Sequence, residues 1–171
     1  MQSLPKKGNH LSLVQPGNGN DTRDRVIEFR VFGLPAPQGS KRHVGRGIMV
    51  ESSKKVRPWR NDVIAASQLS YKQEPLHCPV AIELTFYFPR PKSHFRTGKY
   101  AGMLKENAPL WTTSNADGDL DKLCRATLDG LSHKSGGMIL IDDSICARLT
   151  AEKRYVLHNP PGCLVRVVEL R

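Results

Sequence analysis

From Leu120 onward, apolar or small residues recur at Leu120, Leu123, Cys124, Thr127, Leu128 and Leu131. This is the i, i+3, i+4, i+7, i+8, i+11 spacing that an α-helix turns onto one face. Such a period excludes a strand here and demands a second layer against which the stripe can be buried. The segment Val80 to Phe88, V-A-I-E-L-T-F-Y-F, is the complement: a β-branched and aromatic run ended by Pro89, which predicts a strand. Val26 to Phe32 predicts another, closed by Gly33, Pro35 and Pro37. A second helix is expected to begin near Pro58 and Trp59 and to run through Val63, Ile64, Ala66 and Leu69 to about Lys72, since proline suits a first helical turn. The first helix is bounded by Gly136 and Gly137, after which Met138-Ile139-Leu140-Ile141 predicts a short buried strand. Ser144 to Leu157 and Cys163 to Leu170 predict two more, separated by the turn Asn159-Pro160-Pro161-Gly162. Residues 38–60 read as a loop-rich basic region and 89–118 as a long connection. The expected fold is one α+β domain with a mixed or antiparallel sheet and about two helices, without internal repeats.

Charge narrows the partners. The 26 Lys and Arg against 16 Asp and Glu leave +10, so the partner is expected to be a polyanion. Nucleic acid fits best, because neutralising phosphates releases condensed counterions. A membrane-surface protein would carry a basic amphipathic helix with an apolar face, and none is visible. No stretch approaches the roughly 18 apolar residues of a spanning helix, and the opening residues lack a secretory apolar run, so a cytoplasmic location is expected. Residues 1–24 are polar, aperiodic and rich in Gly and Asn, which predicts a disordered tail ahead of a domain over 25–171. The tail carries Lys6, Lys7 and Arg23 against Asp21 and Asp24, so +9 of the charge belongs to the body. Cys78, Cys124, Cys146 and Cys163 contain no C-x-x-C pair, which predicts reduced, mostly buried thiols in place of a zinc site or disulfide framework.

Against this basic background the carboxylates stand out. Asp119 lies just ahead of the first periodic residue, where it can cap exposed helix N–H groups, and Asp121 projects from the first turn. Asp121, Arg125 and Asp129 follow i, i+4, i+8 spacing, so Arg125 can approach Asp121. Taken alone, the helix reads first as a capped surface helix with ion pairs. The second acidic element, Asp142-Asp143 after four apolar residues, allows a helix start and a strand end to converge. Clustered carboxylates repel one another unless a divalent cation supplies the missing charge. Oxygen donors without His or Cys nearby favour Mg²⁺, or Mn²⁺ in its place, over zinc. An acidic metal site within a basic surface is the pattern of a nuclease.

The run Asp119-Leu120-Asp121-Lys122-Leu123-Cys124-Arg125-Ala126-Thr127-Leu128-Asp129-Gly130-Leu131, followed by Ile141-Asp142-Asp143-Ser144, resembles the RusA family of Holliday-junction resolvases. That family's pattern is P-D-x-D-N-L-x-K-x-x-x-D-A-L and then D-D-[SA]-Q. Gly33 to Arg42 and Tyr87 to Ser93 also resemble its strand-exit segments, particularly in phage-type members. The resemblance implies a homodimeric, Mg²⁺-dependent endodeoxyribonuclease that nicks four-way or branched DNA junctions symmetrically, associated with nucleoid or phage DNA. It implies Asp119, Asp121 and Asp143 as catalytic metal ligands, with Asp142 beside them. Arg125 falls where the family has a catalytic lysine, Lys122 where it has Asn and Gly118 where it has Pro, and two extra residues lengthen the helix-to-strand connection. Arginine can stabilise negative charge but is too weak an acid to hand over a proton.

Lys41, Arg42, Lys54, Lys55, Arg57 and Arg60 form one candidate set of DNA-backbone contacts, and Arg90, Lys92, Arg96 and Lys99 a second, with Lys122 added at the acid pair. Each is equally a residue of a solvated basic loop. Trp59 and Trp111 can stack on unpaired bases, though such residues more often anchor a core or a loop. His94, His133 and His158 follow no ligand spacing. The alternative from another class is a non-catalytic basic protein that binds branched DNA or RNA.

Overall fold

Along β4 (Val80–Phe88), Val80, Ile82, Leu84, Phe86 and Phe88 are buried, while Glu83, Thr85 and Tyr87 on the opposite face reach solvent to different degrees. The strand therefore has one face committed to a core. In the computed structural model, which describes residues 25–39, 41–43, 49–51, 54–157 and 159–170, β4 sits inside a four-stranded sheet of order β1-β6-β4-β5. β6 (Gly162–Glu169) runs antiparallel to both β1 (Val26–Phe32) and β4, and β5 (Cys146–Tyr155) runs parallel to β4. Phe29 and Leu84 both lie opposite Val165, which gathers the three on the buried face. Residues 1–24 and His158 lie outside the described residues, as do the side chains of Lys41 and Arg42.

Helix α1 (Val56–Ser70) and helix α2 (Leu120–Leu131) cover this face. Val56, Trp59 and Val63 of α1 and Leu123, Ala126 and Leu131 of α2 are buried, and each large side chain contributes about 1.5–3 kcal/mol. The helices meet closely because Gly130 has no side chain: a Cβ there would lie 2.8 Å from Val63 Cβ. Trp59 is 1% exposed and its indole N–H donates to Thr127 Oγ1 at 3.1 Å, so it is a core residue and not a stacking platform. The opposite face is polar. There Arg166 lies between Glu28 and Glu83, and the Arg30 guanidinium lies 5.0 Å from the Tyr87 ring.

The predicted α+β class is observed, with several local corrections. Residues Lys41–His43 (β2) and Met49–Glu51 (β3) pair as a small antiparallel ladder inside the region read as loop, because three-residue strands carry no legible period. Helix α1 starts two residues before Pro58, which then occupies the first turn, where a missing N–H costs nothing. The expected strand at Met138–Ile141 is absent. Its backbone bonds are divided between two neighbours: the Leu76 amide donates to the Ile139 carbonyl and the Ile141 amide to the Leu76 carbonyl. On the other side the His133 amide donates to the Leu140 carbonyl. Only isolated bridges, Leu76 to Leu140 and Ser132 to Leu140, result. Helix α2 ends at Leu131, before the glycines that were expected to bound it, and a 3₁₀ turn (His133–Ser135) precedes left-handed Gly136. β5 begins at Cys146, since Asp143–Ile145 is a 3₁₀ turn. The connection after β4 holds 3₁₀ turns at Lys92–His94, Gly98–Tyr100 and Asn115–Asp117. The four cysteines are free thiols, Cys124 and Cys163 buried and the other two half-buried. No helix among the described residues is long and apolar enough to cross a membrane.

Candidate active site

The approach to α2 is built residue by residue. Ser114 Oγ accepts from the Ala116 amide at 3.2 Å and so starts the Asn115–Asp117 turn. Asp117 accepts from Thr112 Oγ1 at 2.5 Å and is thereby tied to the end of the long connection. Gly118 follows at φ +79°, a conformation that proline cannot adopt, and a Cβ there would meet Pro37 Cγ at 2.4 Å. Glycine at the place where the resemblance has proline is therefore a steric requirement of this chain. Asp119 is the N-cap with extended backbone. Its carboxylate does not cap the helix as expected, because Lys122 Nζ donates to it at 2.6 Å. The Lys122 ammonium, followed by the weaker field of Lys153, holds the Asp119 carboxyl below the usual carboxylate range.

One helical turn places Asp121 and Arg125 on the exposed side of α2, above an open cleft of about 440 Å³. Leu120, Cys124 and Leu128 line the helix side of this cleft, Leu149 and Ala151 of β5 line the sheet side, and Asp143 closes it. Asp121, Arg125 and Asp143 are exposed, and none of them makes an ion pair among the described residues. The anticipated Asp121–Arg125 contact is not formed, since an exposed pair of this kind gains too little to fix two side chains. Asp129, at the far end of the same stripe, is instead held by Arg60 at 2.9 Å. Burial, with the nearby Asp121 charge second, pushes the Cys124 thiol up to about 11.

Asp142 and Asp143 separate at the turn. Asp142 Oδ1 accepts from the Ser144 amide at 2.9 Å and its other oxygen pairs with Lys134. These contacts, Lys134 first, hold its carboxyl far below the ordinary range. Asp143 faces the cleft with Asp121. The structure thus brings Asp121, Arg125 and Asp143 together, while Asp119 and Asp142 are each engaged by a lysine. Among the described residues no three His, Cys, Asp or Glu side chains are gathered as a ready-made cage. The donor set still suits a hard divalent cation, because Mg²⁺ retains several waters and is commonly held by only one or two carboxylates.

The basic candidates divide in the same way. Lys54, Lys55, Arg57 and Lys92 are exposed. Arg60 pairs with Asp129, Arg96 pairs with Glu106 at 2.9 Å, and Arg90 donates to the Pro109 carbonyl at 2.7 Å beneath the Tyr155 ring. Arg90 therefore fastens the long connection to the sheet. His94 packs edge-on against Tyr155, a structural role. Trp111 is 57% exposed and forms a backbone bridge with Arg154. Sequence reasoning passed over Lys153, whose ammonium donates to the Gly118 carbonyl at 2.6 Å. Within a strand that also carries Arg148 and Arg154, nothing in the sequence distinguishes it.

A family model described as Endodeoxyribonuclease RusA matches residues 33–167, most of the chain and the whole of the site. A search of curated proteins returned no match.

Proposed function

The chain belongs to the RusA family of endodeoxyribonucleases, and from that premise we propose that it resolves four-way DNA junctions as a homodimer by paired, symmetric, Mg²⁺-dependent nicks. The family consists of Holliday-junction resolvases, divalent-metal-dependent phosphodiester hydrolases, so the chain is a nuclease and the non-catalytic alternative falls away. The observation that carries the finer reading is the convergence of Asp121, Arg125 and Asp143, none of them ion-paired among the described residues, on one open cleft inside the matched region.

Asp121 and Asp143 would hold the cation, with Asp119 joining them once its carboxylate leaves Lys122. When bound, the cation supplies Lewis-acid activation of water and of the phosphate. Arg125, one turn along the same wall, answers the negative charge that grows on the phosphate oxygens as the bond breaks. Arginine is too weak an acid to hand over a proton, so the leaving oxygen takes its proton from solvent or another group. Lys54, Lys55, Arg57 and Lys92 bind backbone phosphates farther out, with Lys41, Arg42 and Lys122 assigned to the same task. Two related strands must be cut, and a two-fold dimer presents two equivalent sites. The reading puts the protein in the cytoplasm, at nucleoid or phage DNA.

The test is single-turnover nicking of a synthetic four-way junction labelled on each strand, with and without Mg²⁺. Two symmetry-related cuts that require the cation are expected. Cutting that ignores branching, or proceeds equally in chelator, would overturn the reading.

A further inference from the structure

On β5, Leu149, Ala151 and Lys153 alternate onto one face. They lie opposite Ile82, Leu84 and Phe86 of β4, all buried, so this is the helix-covered face. Leu149 and Ala151 line the cleft, and Lys153 continues the same wall toward the start of α2. There its Nζ donates to the Gly118 carbonyl at 2.6 Å, one residue before Asp119. The bond is partly buried, and no ion pair among the described residues involves Lys153. A partly buried ammonium satisfied by a carbonyl and no carboxylate is costly to keep for stability alone.

The same point of β5 gathers the other restraints on this turn. The Thr112 amide donates to the Lys153 carbonyl at 3.3 Å, and Thr112 Oγ1 holds Asp117. From the opposite side Pro37 packs against Gly118, and the Gln38 amide donates to the Lys122 carbonyl at 3.0 Å. Gly118 has no side chain of its own to fix it, so the direction in which Asp119 leaves the backbone depends on Pro37 and Lys153.

We propose that Lys153 is a positioning residue of the nuclease site, whose ammonium clamps the Gly118 carbonyl and thereby aims Asp119 at the cation that Asp121 and Asp143 hold. This rests on the metal-dependent reading given above. The clamp joins the sheet to the helix that carries the acids, so the two walls of the cleft move as one.

The sign of an ion-binding measurement isolates the clamp. Removing a positive charge beside a cation site would, by Coulomb's law alone, tighten binding of the ion. Weaker binding can come only from lost alignment of the ligands. Mn²⁺ titrations of the full chain without DNA, followed by electron paramagnetic resonance, are therefore made on wild type, Lys153→Met and Lys153→Arg. Lys153→Met should bind Mn²⁺ about tenfold more weakly, the scale expected for a group that orients a ligand. Lys153→Arg, which can still donate to the carbonyl, should remain within about threefold of wild type, a difference of about 0.6 kcal/mol. Should Lys153→Met fail to fold by circular dichroism, Lys153→Gln, whose amide nitrogen ends one bond short of the lysine nitrogen and so loses the 2.6 Å contact, carries the same expectation of weaker binding. Unchanged or tighter binding in the folded neutral variant overturns the role of Lys153. Wild type that binds no Mn²⁺ overturns the metal reading instead, and wild type that binds Mn²⁺ without nicking junctions overturns the substrate reading while leaving the clamp standing.

Discussion

At the scale of single residues, the structure separates carboxylates that the sequence presents as a group. Asp121 and Asp143 face the cleft without an ion pair among the described residues, Asp119 is reached by Lys122, and Asp142 is spent on Lys134 and the Ser144 amide. Asp121→Asn and Asp143→Asn are each expected to slow single-turnover nicking by about 100-fold or more with junction affinity preserved, since neither removes a phosphate contact. Asp142→Asn should cost less, acting through the turn it caps, and the reverse order would move the ligand to Asp142. Arg125→Lys should retain substantial activity and Arg125→Ala should lose it; equal behaviour of the two would remove Arg125 from the chemistry. A separate check uses the Cys124 thiol, raised from 9.0 to about 11 by burial and by Asp121. Its folded value lies above its unfolded one, so its contribution to stability is complete below about pH 9 and is lost as pH rises toward about 11. Cys163, also raised by burial, acts in the same direction. Asp121→Asn should lower the Cys124 value and speed its alkylation by iodoacetamide at pH 9, provided that the carboxylate lies beside the thiol as described.

At the scale of elements, helix α2 and strands β1, β4 and β6 were legible because their apolar period declares both type and buried face. The segments that misled are those whose bonding is not periodic. Met138–Ile141 looks like a strand by composition, yet it shares its bonds between Leu76 and the end of α2. The contact between the helices is testable through Gly130. Placing a methyl 2.8 Å from Val63 Cβ and 3.2 Å from the Arg60 carbonyl should destabilise the fold by about 1–3 kcal/mol in Gly130→Ala, measured by urea unfolding. Gly118→Pro, which would restore the residue of the family pattern, should impair both folding and nicking here, because φ +79° is closed to proline. Wild-type stability in either variant would show that the helices or the turn shift freely.

At the scale of the whole molecule, +10 of net charge meets a polyanionic substrate. Junction affinity should fall with salt on a log–log slope of about −0.9 for each phosphate neutralised on duplex arms. A nearly flat response would remove the electrostatic account. Deleting residues 1–24, which hold only +1 of that charge, should leave the slope and the nicking rate unchanged. Sedimentation of the protein with a junction should report two protomers on each four-way substrate.

The sequence by itself determined the fold class, the placing of the acid pair at a helix start and the family, since each rests on local spacing: an apolar period, a D-x-D at its head, a D-D after an apolar run. Only the tertiary structure decided which carboxylates share a cleft, that Trp59 is core, that Arg60, Arg90 and Arg96 are engaged within the chain, and that Lys153 of β5 grips the turn before Asp119. The physical reason is distance along the chain. Helix and strand periods are set by neighbours a few residues apart, whereas Lys153 and Gly118, or Asp121 and Asp143, meet only because a parallel crossover returns β5 beside β4 and beneath α2.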